Sequence, residues 1–419
     1  MSKPKIAVIG AGPAGCMLAR LLCLAEIEVT VFESEASPTF RSQGGTLDLH
    51  TDTGLLAMKE ARLWDAFKEH ARYDGQYIAW VDRHNTQVMV MGADSRRNDV
   101  QERPEIDRSR LREILTNSLP DGTVRWGHKL KSVEADNTLV FEHTKVSGFD
   151  LVVGADGTWS KVRKAVTSVE PVFTGIGLYE LNVPDAEKTA PDLYKLVNRG
   201  SVFAHAEGKR LSVQQMGDGS LCVYTSELRD DKDWMAREKC GYDSGDLSAV
   251  REALHKEYHD WDDIFQQVFD KAAGTPKPRS LFMLPVGWRW EHKRGVTIIG
   301  DAAHAMTPFA GEGVNVALMD ALELSRAIIA ASEAGFAEGV LDQKVEAFEK
   351  GMFPRMEKVC RLTDELTNDY LRTPGVPQSI MARVMTRHVK FATPWFLHPL
   401  AALGVHSYML AYGLMKGKK

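Results

Sequence analysis

The sequence predicts an α/β fold: a doubly wound parallel sheet that carries an inserted β-rich domain and a C-terminal helix. Three observations predict it. "KIAVI", a glycine turn from Gly10, helical spacing of Met17, Leu18, Leu21 and Leu22, and "EVTVF" make a β-α-β unit of about thirty residues. Two more apolar runs, "DLVVGADG" at Asp150 and "GVTIIGDAAH" at Gly295, also end in glycine turns. From Val172 to Tyr224 the chain alternates as antiparallel strands do, with turns at Glu207-Gly208 and Gly217-Asp218-Gly219.

The other elements follow in order. Gln76 to Met91 reads as a hairpin, and a helix starts near Asp107 with Leu111, Ile114, Leu115 and Leu119 on its apolar stripe. Asp246 to Ala273 is helical, and Gly313 to Ala334 and Asp342 to Leu371 are long helices. The parallel-sheet domain is therefore expected in three pieces, residues 1–72, 107–170 and 286–375. Residues 73–106 and 171–285 are expected to form the β-rich domain, and 376–419 a C-terminal helical segment. From Phe391 to Met415 there is no formal charge, and Lys416, Lys418 and Lys419 follow. That length would span a bilayer, but His398, Pro399, His406 and Ser407 dilute it. Leu400, Leu403, Leu410 and Leu414 share one helical line broken by Ser407, so a helix packed on the body is expected rather than a membrane anchor.

The chain has 419 residues and a net charge of −5, which gives no basic footprint for nucleic acid. Cys16, Cys23, Cys222, Cys240 and Cys360 are odd in number and lack zinc-ligand spacing, so free thiols and no metal are expected. The N-terminal apolar run is short and enters a glycine turn at once, so no secretory signal is expected and the reading is cytoplasmic.

The turns carry the chemistry. Gly10-Ala-Gly12-Pro13-Ala14-Gly15 has GxGxxG spacing between a strand and a helix. Gly10 permits the tight turn, Gly12 lets backbone approach a pyrophosphate, and Gly15 lets the helix lie close to the strand. The helix N-terminus then offers N–H groups to the phosphates, as in Rossmann-like domains of the glutathione-reductase type. Glu33 ends the second strand, where a carboxylate accepts the hydroxyls of an adenosine ribose. No basic residue beside it welcomes a ribose phosphate, so FAD or NAD suits this site better than NADP. Asp156-Gly157 and Gly300-Asp301 open the other two turns, and either aspartate taken alone is also a helix cap.

The order and spacing of the three turns resemble the class A FAD-dependent monooxygenases, the para-hydroxybenzoate hydroxylase type. The resemblance implies that Gly10 to Gly15 hold the ADP part of FAD. It implies that Asp156-Gly157 touch FAD and incoming NADPH, and that Gly300-Asp301 hold the ribitol chain. "RSQGGTLDLH" (Arg41 to His50), "EIDRSRLREILTNSL" (Glu105 to Leu119), "SKVRK" (Ser160 to Lys164) and "GDAAHAMTPFAGEGVN" (Gly300 to Asn315) are similar to the tetracycline-inactivating flavin monooxygenases. By position, that likeness implies Asp48 and Arg112 at FAD and Arg41 at NADPH. It puts Gly311, Gly313, Val314 and Asn315 along the isoalloxazine, with Pro308 in the cofactor set. Read alone, Arg41 is also a loop cation, Asp48 a turn residue, and Arg112 is free to reach ligand or water. That subgroup's drug-recognising Gln, Arg and His fall at Glu180, Ser201 and Cys222, so a phenolic or polycyclic substrate other than tetracycline is expected.

Reduced flavin carries negative charge, and the turn Ala310 to Gly313 opens a helix whose N–H groups face such charge. Glu312 has no assigned partner there: beside such a ring a carboxylate is unwelcome unless it points to solvent, and its role is left open. No second GxGxxG followed by an acid is present, so NADPH has no domain of its own and visits transiently. The resemblance implies hydroxylation through a flavin C4a-hydroperoxide, with an epoxidase, a Baeyer–Villiger oxygenase or a non-catalytic redox sensor as alternatives. A pocket between flavin and β-rich domain is expected, with Tyr179, Gln214, Met216, Pro308 and Phe309 as walls. His205 and His304 read as structural, and Trp288-Arg289-Trp290 as packing rather than a halogenase WxW motif. A monomer or weak dimer is expected.

Overall fold

Four consecutive apolar residues, Ile6–Ile9, are all buried, as a central parallel strand covered on both faces requires. In the computed structural model, which describes residues 4–37, 44–92 and 103–416, this strand is the middle of a five-stranded sheet. The order is Val296–Ile298, Leu151–Gly154, Ile6–Ile9, Val29–Phe32 and Val124–Arg125, and every pairing is parallel. The helix Pro13–Leu24 follows the first strand and buries Ala14 to Ala19, Leu21 and Leu22. It packs against the long helix Gly313–Glu333. The approach of turn and helix is close: a Cβ on Gly15 would lie 2.0 Å from the Gly10 carbonyl oxygen, whereas one on Gly12 would meet nothing within 4 Å.

Contacts divide the chain into two units. The first is Met1–Asp74, Arg96–Thr174 and Phe282–Cys360, and it holds the parallel sheet. The second is Gly75–Ser95, Gly175–Leu281 and Arg361–Lys419. Its sheet has seven strands, with successive side chains on opposite faces and one register shift between Trp80 and Val81. Ala79, Val81, Tyr179, Leu181, Val202, Ala204, Leu211, Val213, Leu221 and Val223 enter one core with Val250, Leu254, Phe265, Val268 and Phe269. The last five lie on the helices Leu247–Glu257 and Asp263–Lys271.

The structure differs from the sequence reading in three places. Glu105–Asp107 pairs antiparallel with Thr46–Asp48 and belongs to the first unit rather than the β-rich one. The alternating region is interrupted by the short helices Ala186–Thr189 and Pro191–Val197, hidden because proline at a first helical turn reads as a breaker. The expected apolar stripe of the C-terminal helix is not packed on the body: Leu400 is 67% and Leu403 66% exposed. The side chains of Leu410 and Leu414 lie outside the described residues. All five cysteines are free.

Gly15→Ala is expected to cost at least about 2 kcal/mol, since the new methyl meets backbone that cannot yield. Gly12→Ala is expected to cost less than about 1 kcal/mol. Chemical denaturation of the two apoproteins checks this, and equal losses would contradict the packing described.

Candidate functional site: a crevice at the strand ends

The parallel register brings Phe32, Ile9, Gly154 and Ile298 into one row across the sheet. Each is followed by a sequence-predicted site. Glu33 follows Phe32, Gly10 follows Ile9, Asp156-Gly157 lie just past Gly154, and Gly300-Asp301 just past Ile298. The turns are tied at their roots by Gly10 N–H to Phe32 O, Ala155 N–H to Ile9 O and Ile299 N–H to Gly154 O, at 2.8, 2.8 and 2.9 Å. Ligands of open α/β sheets sit outside such carboxyl ends.

Glu33 is buried. Its carboxylate accepts from the Ala11 N–H at 2.7 Å, from the Ser34 hydroxyl at 2.8 Å and from the Glu35 N–H at 3.0 Å. It therefore holds the glycine turn as well as standing at its mouth. Arg112 makes a two-pronged pair with Glu35, at 2.8 and 3.2 Å. Its Nε is a buried donor with no acceptor among the described residues. Arg41 lies outside the described residues.

Asp156 spends both oxygens on its own turn. It accepts from the Ser160 hydroxyl at 2.5 Å and from the Lys161 and Val162 N–H groups at 2.7 and 3.3 Å. The capping role open to it in the sequence is thus filled, and Gly157, at φ +76° with open space over its Cα, is what meets the crevice. Arg163 is 2% exposed and donates to Thr158 O, Ala302 O and Val169 O, at 2.7, 3.1 and 3.2 Å. It clamps the second turn to the third. The third turn rests on Asp320, which takes the Gly300 N–H at 3.0 Å, His304 Nε2 at 2.6 Å and Arg355 at 3.0 Å. Burial opposes the Asp320 charge, but His304 and Arg355 hold its carboxyl below the usual range. His304 is structural, as read, and Asp301 projects exposed beyond it. Arg163 and Asp320 have no assigned role in the sequence reading. No motif marks Asp320, which sits inside a helix, but a charge at a position with core spacing is a signal.

The start of Gly313–Glu333 is the most charged part. Asn315 is fully buried; its side chain accepts from the His50 N–H at 2.8 Å and donates to Asp48 O at 2.9 Å. This pins Thr46–Asp48 and the turn after it to the helix N-terminus. His50 Nε2 lies 2.9 Å from Asp48 Oδ2, and its Nδ1 lies 3.4 Å from Glu312 Oε2. Glu312, left unassigned by the sequence, is 9% exposed, and its carboxylate faces His50 rather than solvent. Burial works against the imidazolium, but hydrogen bonds to Asp48 and Glu312 raise its pKa from 6.5 to about 9. Beside it, Gly311 is left-handed at φ +71° and exposed, nothing lies within 4 Å of a Cβ on Gly313, and Val314 and Phe309 are half-buried. Pro308 is exposed. Trp288 and Trp290 are buried in the core of the first unit, and the Trp290 indole donates to Glu349 at 3.2 Å, which is packing.

In the second unit, Tyr179 and Gln214 lie on opposite sheet faces, so they do not line one wall. Tyr179 is in the helix-covered core, its hydroxyl 3.1 Å from that of Tyr242. Ser201 pairs with Gln214, Gln214 with Cys222 and Cys222 with Asn182, one cross-strand row on the other face. Met216 is buried just beyond it. Glu180, on the same face, pairs with Lys277 at 2.9 Å and Arg279 at 3.5 Å. Asn182, exposed in the same row, is a candidate the sequence reading did not name, and period two counted from Glu180 finds it.

These residues fit FAD. The open backbone at Gly12, Gly157 and Gly313, the unused Arg112 Nε donor and the exposed Asp301 suit pyrophosphate, ring and hydroxyl groups. A parallel sheet whose strand ends carry these turns is a dinucleotide-binding fold, and the matches that follow make the chain one of the FAD-dependent monooxygenases. Residues 3–347 match the family described as FAD binding domain, and the chain belongs to that family. It is 30% identical to monooxygenase penA of Penicillium thymicola, over 86% of this chain and 94% of that protein. It is 26% identical to a salicylate hydroxylase of Pseudomonas putida, over 89% of this chain and 87% of that protein. The tetracycline destructase Tet(55) shares the fold with a TM-score of 0.68 at 19% identity, over 93% of this chain and 97% of that one.

The raised His50 pKa has a direction in pH. A histidine raised on folding stabilises fully below its unfolded value and loses that contribution as pH climbs through the folded one. The stability difference between wild type and His50→Gln is expected to shrink by roughly 3 kcal/mol between about pH 6 and pH 10. Burial lifts the nearby Glu105 carboxyl to about 8, but it titrates in both proteins and largely cancels. Denaturant titrations of the apoproteins across that range measure it; a constant difference rules out the charged histidine.

Proposed function

We propose that the protein uses NADPH to reduce bound FAD and hydroxylates a phenolic or polycyclic aromatic small molecule. The carrying observation is the single row of strand ends that places Glu33, Gly10, Asp156-Gly157 and Gly300-Asp301 at one crevice. FAD supplies the electron transfer and oxygen activation when bound. The chain's own residues bind and orient. Asp301 accepts from ribitol hydroxyls, Arg112 and the turn at Gly12 meet the diphosphate side, and the N–H groups after Gly313 face the electron-rich edge of the ring. His50 offsets one of the two negative charges that Asp48 and Glu312 bring there.

The aromatic substrate is supported by the relative named a salicylate hydroxylase. Gln214 and Asn182 are the polar anchors of this reading, with Ser201 and Cys222 beside them. The positions of the tetracycline-recognising residues carry a salt-bridged Glu180, a small hydroxyl and a thiol, which favours a different ring system. NADPH is read as a transient visitor at the Asp156-Gly157 turn. Free thiols fit a reducing compartment such as the cytoplasm.

The purified protein should be yellow and oxidise NADPH slowly alone and several-fold faster with the right phenol. The product should gain one oxygen atom from O2. A protein that cannot be loaded with FAD refutes the reading, and one whose NADPH use no aromatic stimulates refutes the hydroxylase. Asp301→Ala should weaken FAD binding by roughly 1–2 kcal/mol while leaving apoprotein melting unchanged, since its side chain is exposed. Gln214→Ala should raise KM for the phenol without changing FAD affinity.

A further inference from the structure

The helix His398–Lys416 is apolar on most sides, yet none of its described side chains is buried. A helix of that composition belongs in a core or against a membrane. Its main packing partner is Met381–Ala392, and many of its described side chains stay exposed. Trp395 is 80%, Phe396 62%, Leu400 67% and Leu403 66% exposed, with Tyr408 half-exposed further along. Their spacing makes one continuous strip, begun by aromatics in the turn before the helix. No helix among the described residues is long and apolar enough to cross a membrane, so a spanning role is not available to it.

Charge says what covers the strip. From Tyr370 to Lys419 the chain contains no Asp or Glu, whereas the whole chain is net −5. Arg383 and Arg387 are taken by Asp369 and Glu365 of the preceding helix. The bordering charges left are Lys390, exposed at one end, and Lys416, Lys418 and Lys419 in the sequence at the other. Aromatic residues at one end, lysines at both and an uncharged apolar strip between them match the headgroup boundary of an anionic bilayer. A second copy of the chain fits less well. Two such strips meeting would bring their basic borders together, a like-charge cost that an anionic surface turns into attraction.

We propose that this strip, from Trp395 along His398–Lys416, docks reversibly in the plane of an anionic lipid surface. The docking does not depend on the catalytic reading. The test is flotation of the FAD-loaded full chain with two kinds of vesicle at moderate salt: phosphatidylcholine alone, and phosphatidylcholine with about one-third phosphatidylserine. Binding is expected to be roughly tenfold or more tighter on the second, and to weaken as salt rises. The triple variant Trp395→Ser, Phe396→Ser, Leu400→Ser should lose it with unchanged FAD content and melting. Lys416→Glu, Lys418→Glu, Lys419→Glu keeps the apolar strip and should lose only the preference for phosphatidylserine, which keeps the test valid if the first variant folds poorly. Failure of the wild type to bind either vesicle overturns the proposal, as does equal binding to both. A wild-type dimer in sedimentation velocity that the first variant makes monomeric, with no vesicle binding, assigns the strip to a second copy instead.

Discussion

The site depends on one constraint: strand ends lying in register must have their turn backbones satisfied from behind, or the crevice above them closes. Four side chains do this. Glu33 takes the Ala11 N–H, Asp156 takes those of Lys161 and Val162, Asp320 takes that of Gly300, and Arg163 caps the Thr158 and Ala302 carbonyls. Burying such groups unpaired would cost several kcal/mol each, which is why each charged anchor is itself countered. Asp320 has His304 and Arg355, and Arg163 meets three carbonyl oxygens. The outer side of every turn, at Gly12, Gly157 and Gly313, is then free to meet a ligand. Stability and binding are served by opposite sides of the same short loops.

The same logic explains Glu312. A carboxylate at a helix N-terminus is favoured by the dipole but opposes any electron-rich group placed there. His50 resolves the conflict by standing between Glu312 and Asp48 as a cation. One positive charge beside two negative ones leaves a single net negative charge, which the helix N–H groups partly offset. Asn315 makes this possible without touching the charges, since its amide fixes the backbone of both Asp48 and His50.

Much of the first unit was legible in the sequence because its chemistry is backbone chemistry. GxGxxG, the acid closing the second strand and the two later turns are local signatures, each with a strand before it and a helix start after it. The register that aligns Phe32, Ile9, Gly154 and Ile298 joins residues far apart in the chain, so no local pattern states it. Asp320 escaped because its partners Gly300, His304 and Arg355 lie on other elements, and Arg163 because its bond to the Ala302 carbonyl joins two turns far apart in the chain. Glu312 stayed unassigned because its partner, His50, lies far earlier in the sequence. The C-terminal leucine line was read as a buried helix face; the helix is there, but Leu400 and Leu403 are exposed, because periodicity says only that a face exists, not what covers it.

Cofactor and substrate are written differently in such a protein. A glycine turn works through atoms every residue has, so its spacing survives wide divergence in side chains. The row Ser201, Gln214, Cys222 and Asn182, which the proposed reading makes the substrate wall, lies on one face of antiparallel strands. There the identity of every second residue matters and its neighbours face a sealed core, as Tyr179 does with Tyr242. A one-residue error in placing such a strand exchanges wall for core. That is why Tyr179 was taken for a wall and Asn182 was passed over. It is also why likeness to other flavin monooxygenases carries the redox chemistry across the family but leaves the substrate to be read from this row alone.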